Sequence, residues 1–290
     1  MTNRVQETSE AAHAGTVERV GVIGLGIIGS VWAANYDTDG LLVASWNRSA
    51  KAGSPKPAAG AREVARAASV VHVVVSDPPA VDEVLRAMEP ELGPSHLVIQ
   101  STTIDPKSAA SFARRVQARG ASYMEAPFMG SRPAAEQRKT IFLLGGERSV
   151  LPRAEAVLGH LSEVRHQVGS EAQAAALKLA FNVHVAITME ALSESLSLAR
   201  QSDVSDDAFF RIMQGTALWS GFHNLKHDKL RQGEYSPQFS VKHMLKDVRL
   251  ATGLARPGST PIAGAVRERL QTASERGYSE EDIAALIKLL

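Results

Sequence analysis

The sequence predicts an α/β fold in its first half, with a doubly wound parallel sheet, followed by a long connecting helix and an all-α C-terminal domain. Short Val- and Ile-rich runs alternate with helical segments, and near-continuous apolar runs such as VVHVVVS are typical of strands covered on both faces. From Ser170 the chain then continues to about residue 202 without a helix breaker. A chain of 290 residues with 44% hydrophobic residues is long enough to build two cores.

Seven apolar runs are predicted strands of this sheet. They cover residues 19–24, 41–46, 70–76, 97–100, 122–125, 140–144 and 164–168. Parallel strands are joined by right-handed crossovers, so helices are expected on both faces. One of these helices is predicted over 106–119, because Asp105 suits the N-cap position and Pro106 suits the first helical position.

The second half of the chain is predicted to be helical throughout. Ser170 and Gln173 fit a capping box, which starts a helix over 171–200 that is long enough to join two domains. Polar residues such as Lys178 and Asn182 interrupt its apolar stretch, so we interpret it as a buried helix of a soluble protein rather than a membrane span. Three further helix starts are predicted at Ser205, Thr260 and Ser279.

Composition and charge exclude several classes of protein. With 32 Lys and Arg against 31 Asp and Glu, the net charge of +1 gives no overall attraction to nucleic acid or to an anionic membrane, so neither is an expected partner. The absence of Cys excludes disulfides, thiolate metal sites and cysteine nucleophiles. His223, His227 and His243 are too scattered to suggest a metal site, so no metal is predicted. The polar N-terminus lacks the apolar segment of a secretory signal, which predicts a cytoplasmic protein.

The sharpest motif is GLGIIG, which lies directly between the first predicted strand and a helical segment. Gly24 allows a tight turn, Gly26 lets a pyrophosphate approach the backbone, and Gly29 lets the helix pack closely on the strand. This context predicts a dinucleotide-binding Rossmann domain rather than an incidental glycine turn. The cofactor-binding turn is predicted to consist of Gly24, Leu25, Gly26, Ile27, Ile28 and Gly29.

The end of the second strand, WNRS, predicts the kind of dinucleotide. An NAD site usually has an acidic residue there to bind the ribose diol, and this chain has none. Arg48 can bind a 2′-phosphate through two hydrogen bonds and stack on adenine, so Asn47, Arg48 and Ser49 are predicted to bind NADP(H). The alternative is that Arg48 is an ordinary solvated loop residue.

Lys178 and Asn182 are candidate catalytic residues, because they are four apart on the long helix and share one face. A partly buried ammonium is costly unless it has a partner or a task, and beside a carbonyl substrate it can supply the proton that accompanies hydride transfer. The alternative is a lysine that extends from a buried helix to solvent. Three aromatic residues are predicted to pack the helical domain or, as the alternative, to form a wall of the substrate pocket: Trp219, Phe222 and Phe239.

These motifs together resemble the β-hydroxyacid dehydrogenase family, and the resemblance runs from Val20 to the C-terminus. The family's parts occur in the expected order, namely GLGIIG at 24–29, STTIDP at 101–106, EAPFMGS at 125–131, the helix with Lys178 and Asn182, and KDVRLA at 246–251. The branch that the sequence resembles most is that of the glyoxylate/succinic semialdehyde reductases. The features that carry this resemblance are Glu125, the GSRP run at 130–133 and the loop after the second strand.

The resemblance implies a role for each motif and an oligomeric assembly. Lys178 is the implied general acid/base, and Asn182 is implied to bind substrate. Lys246 is implied to lie near the nicotinamide and the substrate, and the alternative is that it forms a surface ion pair with Asp247. Further cofactor contacts are implied for Ser76, Asp77, Thr102 and Thr103, and substrate contacts for Phe128, Met129, Gly130 and Ser131. The implied assembly is a homodimer or homotetramer.

Phe128 and Met129 depart from the family pattern, which has Val and Ser at these places. One hydroxyl donor to a substrate carboxylate is lost, although backbone N–H groups around Gly130 and Ser131 and the Arg132 side chain remain. Recognition of an acid is therefore weakened, and a bulkier or less polar substrate becomes an alternative.

The sequence thus predicts an NADPH-dependent oxidoreductase that reduces a small aldehyde or keto acid of the glyoxylate or succinic semialdehyde type, or oxidises a β-hydroxyacid in reverse. One alternative is an imine reductase or a reductase of bulkier carbonyls on the same fold. Another is a non-catalytic nucleotide-binding scaffold, which would not need a buried ammonium. The predicted organisation is a flexible tail (1–17), an NADP-binding Rossmann domain (18–169), an inter-domain helix (170–201) and a helical domain for substrate binding and oligomerisation (202–290).

Overall fold

The computed structural model describes residues 18–290, so the predicted tail over 1–17 lies outside the described residues. Within that range the N-terminal domain is built on an eight-stranded sheet. Its strands are β1 Val20–Ile23, β2 Leu42–Trp46, β3 Val70–Val73, β4 Leu97–Gln100, β5 Ser122–Glu125, β6 Phe128–Met129, β7 Ile141–Gly146 and β8 Val164–Gly169. The helices between them are α1 Gly29–Thr38, α2 Ala61–Ala67, α3 Pro78–Met88, α4 Pro106–Gln117, α5 Arg132–Glu136 and α6 Leu151–Leu158.

The strand order β2-β1-β3-β4-β5-β7-β6, with β8 also paired to β7, confirms the doubly wound sheet. Strands β1 to β5 are parallel. Adjacent residues of β3 enter cores on opposite faces, since Val70 packs in the cluster that contains Trp32 of α1 and Val71 in the cluster that contains Val64 of α2. Helices therefore cover both faces, which explains why these strands are apolar along their whole length.

The far edge of the sheet is mixed rather than wholly parallel. Strand β7 runs antiparallel to β5, β6 runs antiparallel to β7, and β8 runs parallel to β7. The connection from β5 to β7 contains only β6 and the five-residue α5, so the chain returns without the crossover helix that a parallel strand needs. Phe128 and Met129, expected in a substrate-binding loop, thus lie in a two-residue strand.

The second half of the chain is helical, as predicted. The long helix α7 Glu171–Gln201 begins with the predicted capping box, in which the Ser170 and Gln173 side chains each accept a hydrogen bond from the other residue's backbone N–H. It is followed by α8 Asp206–Gln214, α9 Gly221–Gln232, α10 Val241–Leu254, α11 Pro261–Ala273, a π-helical turn Ser274–Tyr278 and a 3₁₀ helix Ile283–Leu289. The start predicted near Ser279 falls at Asp282, whose side chain caps the 3₁₀ helix.

Helix α7 is long and apolar enough, by length and composition alone, to cross a membrane. In this fold it packs against α4, α10 and β7, and its polar residues Asn182 and Glu190 are buried. The Glu190 carboxylate is paired with Arg269, Nε to Oε1, at 2.6 Å. These contacts place one face of α7 in the core of the fold, with its buried charge paired.

Candidate active site

A cavity of about 570 Å³ lies at the carboxyl ends of the parallel strands, between the N-terminal domain and helices α7, α9 and α10. Doubly wound sheets bind their ligands at this edge. The cavity brings together most of the predicted site residues: Gly24, Gly26, Ile27, Ile28, Gly29, Asn47, Arg48, Ser49, Ser76, Thr102, Thr103, Phe128, Met129, Gly130, Ser131, Lys178, Asn182 and Lys246. The predicted residues Leu25 and Asp77 lie outside its lining.

The turn between β1 and α1 has the shape that a pyrophosphate needs. Gly24 has a φ of 98°, and a Cβ there would lie 2.1 Å from the carbonyl oxygen of Val74. A Cβ on Gly29 would lie 1.9 Å from the carbonyl oxygen of Gly24, whereas Gly26 faces open space. Helix α1 begins without a side-chain cap or an acidic residue in its first turn, which leaves its positive end to an anion. The turn therefore fits a dinucleotide.

The loop after β2 is tied to this turn through Asn47. Its Oδ1 accepts a hydrogen bond from Leu25 N at 2.9 Å, and its Nδ2 donates to Ser49 O at 2.8 Å. Asn47 thus fixes the loop, while Leu25 packs its side chain into the core. Arg48 lines the cavity and forms no ion pair with any residue of 18–290, so its guanidinium is available to a phosphate.

The segments after β3 and β4 are joined by one hydroxyl group. Thr102 Oγ1 accepts a hydrogen bond from Val75 N at 2.8 Å. The Asp77 side chain instead caps α3, because it accepts from Ala80 N at 2.9 Å and from Ser76 Oγ at 2.8 Å. The structure therefore gives Asp77 a capping contact, and it places Ser76 and Thr102 beside the cavity.

Lys178 projects from α7 into the cavity with a thioether as its hydrogen-bond neighbour. Its Nζ lies 3.5 Å from Met129 Sδ and 5.6 Å from the centroid of the Phe128 ring. Burial lowers the pKa of Lys178 to about 8, a shift that Asp247 opposes and Lys246 increases. A thioether is a weak acceptor, so the ammonium retains donors for a substrate oxygen.

Asn182 and Lys246 meet at one carboxylate. Asn182 Nδ2 donates to Asp247 Oδ2 at 2.6 Å, and Lys246 Nζ lies 2.7 Å from Asp247 Oδ1. Lys246 Nζ also donates to Thr103 O at 2.7 Å, which connects α10 to the N-terminal domain. Asp247 is only 2% exposed, so this is not the surface ion pair considered as the alternative.

Sequence reasoning did not identify Asp247 as a site residue, although it stands inside the quoted KDVRLA motif. It also missed a group of residues that line the cavity on the side of the helical half of the chain: Val185, Leu225, Lys226, Gln238, Ser240, His243 and Ile283. Trp219, Phe222 and Phe239 all pack against the core of the helical domain, as predicted, and Phe222 and Phe239 also line the cavity. The three-residue spacing of Phe222 and Leu225 indicates a shared helix face, but it does not indicate what that face meets.

Next to the cavity, Glu125 ends β5 in a fully buried network. Tyr123 Oη donates to Glu125 Oε2 at 2.7 Å, and Gln100 Nε2 donates to Glu125 Oε1 at 2.9 Å. Gln100 Nε2 also donates to Thr102 O at 2.9 Å, so the network supports the cofactor side of the cavity. Burial raises the pKa of Glu125 to about 8, with repulsion from Glu171 adding to the shift and the two hydrogen bonds opposing it.

We expect Glu125 to make the protein less stable as pH rises. The carboxyl group ionises near pH 4.5 in the unfolded chain and near pH 8 in the folded one, so the folded state binds more protons between these values. Relative to Glu125→Gln, the free energy of unfolding should fall by up to about 1.4 kcal/mol per pH unit across this window. Urea unfolding of both proteins at several pH values measures the difference, and equal slopes would contradict the raised pKa.

Two family models match the chain. Residues 19–169 match the NAD binding domain of 6-phosphogluconate dehydrogenase, and residues 172–290 match the NAD-binding region of NADP-dependent 3-hydroxyisobutyrate dehydrogenase. Fold and site therefore define an NAD(P)-dependent oxidoreductase that acts on hydroxyl or carbonyl groups. Within this class, the chain belongs to the β-hydroxyacid dehydrogenase family, as the order of its motifs predicts.

The chain is also similar to individual relatives. It is 28% identical to glyoxylate/succinic semialdehyde reductase 2, chloroplastic, of Arabidopsis thaliana, over 95% of this chain and 80% of that protein. It is 26% identical to cytokine-like nuclear factor N-PAC of Mus musculus over 94% of this chain, but it spans only 51% of that protein. The crystal structure of 3-hydroxyisobutyrate dehydrogenase from Salmonella typhimurium has the same fold, with a TM-score of 0.86 at 23% identity over 94% of this chain and 100% of that one.

Proposed function

We propose that the protein catalyses the NADPH-dependent reduction of a small aldehyde or keto acid, of the glyoxylate or succinic semialdehyde type, or the reverse oxidation of a β-hydroxyacid. The observation that carries the proposal is the buried Lys178 ammonium, which shares one cavity with the glycine-rich turn and contacts a thioether there. The name of the Arabidopsis relative, which describes carbonyl reduction, supports the same reaction.

In this reaction the bound cofactor supplies the hydride for the substrate carbonyl carbon. Lys178 Nζ donates a proton to the carbonyl oxygen as negative charge develops there, and a pKa near 8 suits proton transfer close to neutral pH. Asn182 lies one helical turn further on the same face. One N–H of its Nδ2 donates to Asp247, which orients the amide and leaves the second N–H and Oδ1 for the substrate.

The proposed preference for NADPH rests on Arg48. Strand β2 ends without an acidic residue that would repel a 2′-phosphate, and the Arg48 guanidinium can bind that group. Arg48→Ala should raise the KM for NADPH about tenfold while changing the KM for NADH little. Arg86→Ala, which removes an exposed arginine of α3 outside the cavity, is the matched control. An unchanged ratio of the two KM values in Arg48→Ala would contradict the proposed role.

The reduction itself is tested by following NADPH oxidation with glyoxylate, succinic semialdehyde, longer aldehydes and cyclic imines. Turnover of a carbonyl compound supports the proposal. Turnover of imines alone would instead support the imine reductase alternative, and NADPH binding without any turnover would support a scaffold. We further propose a cytoplasmic homodimer or homotetramer, and light scattering on the purified protein tests the assembly.

A further inference from the structure

The substrate side of the cavity holds three lysines, and the charge of Lys226 is already balanced. Its Nζ lies 2.7 Å from Asp282 Oδ1, and the two side chains are 4% and 0% exposed. Asp282 Oδ2 also accepts hydrogen bonds from the backbone N–H groups of Gln238 and Phe239. The pair is therefore fixed within the fold, because moving Lys226 toward a substrate anion would leave Asp282 as a buried unpaired charge.

Lys246 also has a carboxylate beside it, since its Nζ lies 2.7 Å from Asp247 Oδ1, and its Nζ donates a hydrogen bond to Thr103 O. Burial lowers the pKa of His243 below its usual value, so this ring is neutral at pH 7. Among the described residues on this side of the cavity, Lys178 is then the cation without a carboxylate partner, and the proposed reduction uses it at the carbonyl oxygen. A substrate carboxylate would enter without a cation of its own.

The loop after β5 does not supply that missing cation. The Arg132 side chain is 61% exposed and is paired with Glu136, Nε to Oε1, at 2.8 Å. Met129 presents a thioether, and α5 has only five residues. The Ser131 hydroxyl and the N–H groups of the loop can donate hydrogen bonds, but they do not neutralise a charge that has been taken out of water.

Gln238 and Ser240 also line this wall and carry no charge, and its other residues are apolar. The apolar residues are Val185 of α7, Phe222 and Leu225 of α9, Phe239 before α10 and Ile283 of the 3₁₀ helix. Such a surface gains affinity for a ligand with each methylene group that it removes from water. A charged group placed against it would lose its hydration instead.

We infer that the substrate is an uncharged aldehyde or ketone with an apolar substituent, bound with its carbonyl group at Lys178 and its substituent against Val185, Phe222 and Leu225. This inference rests on the proposed carbonyl reduction, and it replaces the glyoxylate or succinic semialdehyde type of substrate by one without a carboxylate. Among carbonyl compounds, those without a carboxylate are therefore expected to be preferred over glyoxylate and succinic semialdehyde.

Succinic semialdehyde and its methyl ester form a matched pair, because they share the reacting aldehyde and the carbon chain but differ by one charge. With saturating NADPH, the ester should be reduced with a kcat/KM about tenfold above that of the acid, and kcat/KM should rise from propanal to hexanal. A higher kcat/KM for the acid would overturn the inference and leave the proposed reduction intact.

If none of these compounds is reduced, a binding measurement tests the inferred uncharged ligand class independently of the proposed reduction. Calorimetry with the NADP⁺-loaded protein compares 1-pentanol with 4-hydroxybutanoate. Tighter binding of 1-pentanol supports the uncharged ligand class even where the reduction fails. Tighter binding of 4-hydroxybutanoate, or no binding of 1-pentanol, overturns the inference.

A variant at Leu225 tests whether the lack of an unpaired cation in this wall causes the preference for uncharged substrates. Leu225→Arg adds a positive charge to the apolar wall at a residue that is 43% exposed, so the fold should accept it. The ratio of kcat/KM for the acid over the ester should rise about tenfold in this variant. Leu225→Gln, which adds a polar group without charge, is the control. Equal ratios in the two variants would contradict the charge argument.

Discussion

Replacing Lys178 by methionine should lower kcat for carbonyl reduction about a thousandfold and leave the affinity for NADPH unchanged. The methionine side chain keeps the packing on Phe128 and Met129 but removes the ammonium. That ammonium stabilises charge that develops on the carbonyl oxygen mainly in the transition state. The loss should therefore fall on kcat more than on substrate affinity.

The measurement is the rate of NADPH oxidation with the best carbonyl substrate, together with a fluorescence titration of NADPH binding. Lys242→Met removes a lysine of α10 that is paired with Glu280 outside the cavity, and it should leave both values unchanged. Normal turnover in Lys178→Met with normal NADPH binding would remove Lys178 from the chemistry. Loss of NADPH binding in this variant would show that the side chain supports the cofactor site instead.

The parts of the fold that the sequence predicted are those with local causes. The GLGIIG turn needs a positive φ at Gly24 and close backbone contact at Gly29, and both requirements can be seen in the residue types themselves. The capping box at Ser170 likewise involves residues only three apart. The reversal at β7 could not be predicted in this way, because strand direction depends on which distant strand β7 pairs with.

The same distinction applies to the candidate site. The sequence placed Lys178 and Asn182 on one face of α7 because that spacing is local. The sequence could not show that Asn182 Nδ2 donates a hydrogen bond to Asp247, 65 residues later, because this contact depends on how α7 packs on α10. The contact of Lys178 with Met129 spans 49 residues and has the same cause. Asp247 is therefore the cavity residue whose contacts could least be predicted from the sequence.

Replacing Asp247 by asparagine should lower kcat/KM at pH 8 about tenfold to a hundredfold and shift the pH profile. Asparagine keeps the size of the side chain and can still accept a hydrogen bond from Asn182 Nδ2. It removes the negative charge that holds Lys246 and opposes the lowering of the Lys178 pKa. The pKa of Lys178 should therefore fall below about 8 in the variant.

The direction of the shift follows from the role of Lys178 as a proton donor. Reduction needs the protonated amine, so kcat/KM falls as pH rises through the pKa, and a lower pKa moves this loss to lower pH. The effect is measured by recording kcat/KM against pH for the unmodified protein, for Asp247→Asn and for the exposed control Glu280→Gln. A purely structural role for Asp247 would lower the rate at every pH and leave the basic limb in place. An unmoved limb would thus show that the Asp247 charge does not act on Lys178.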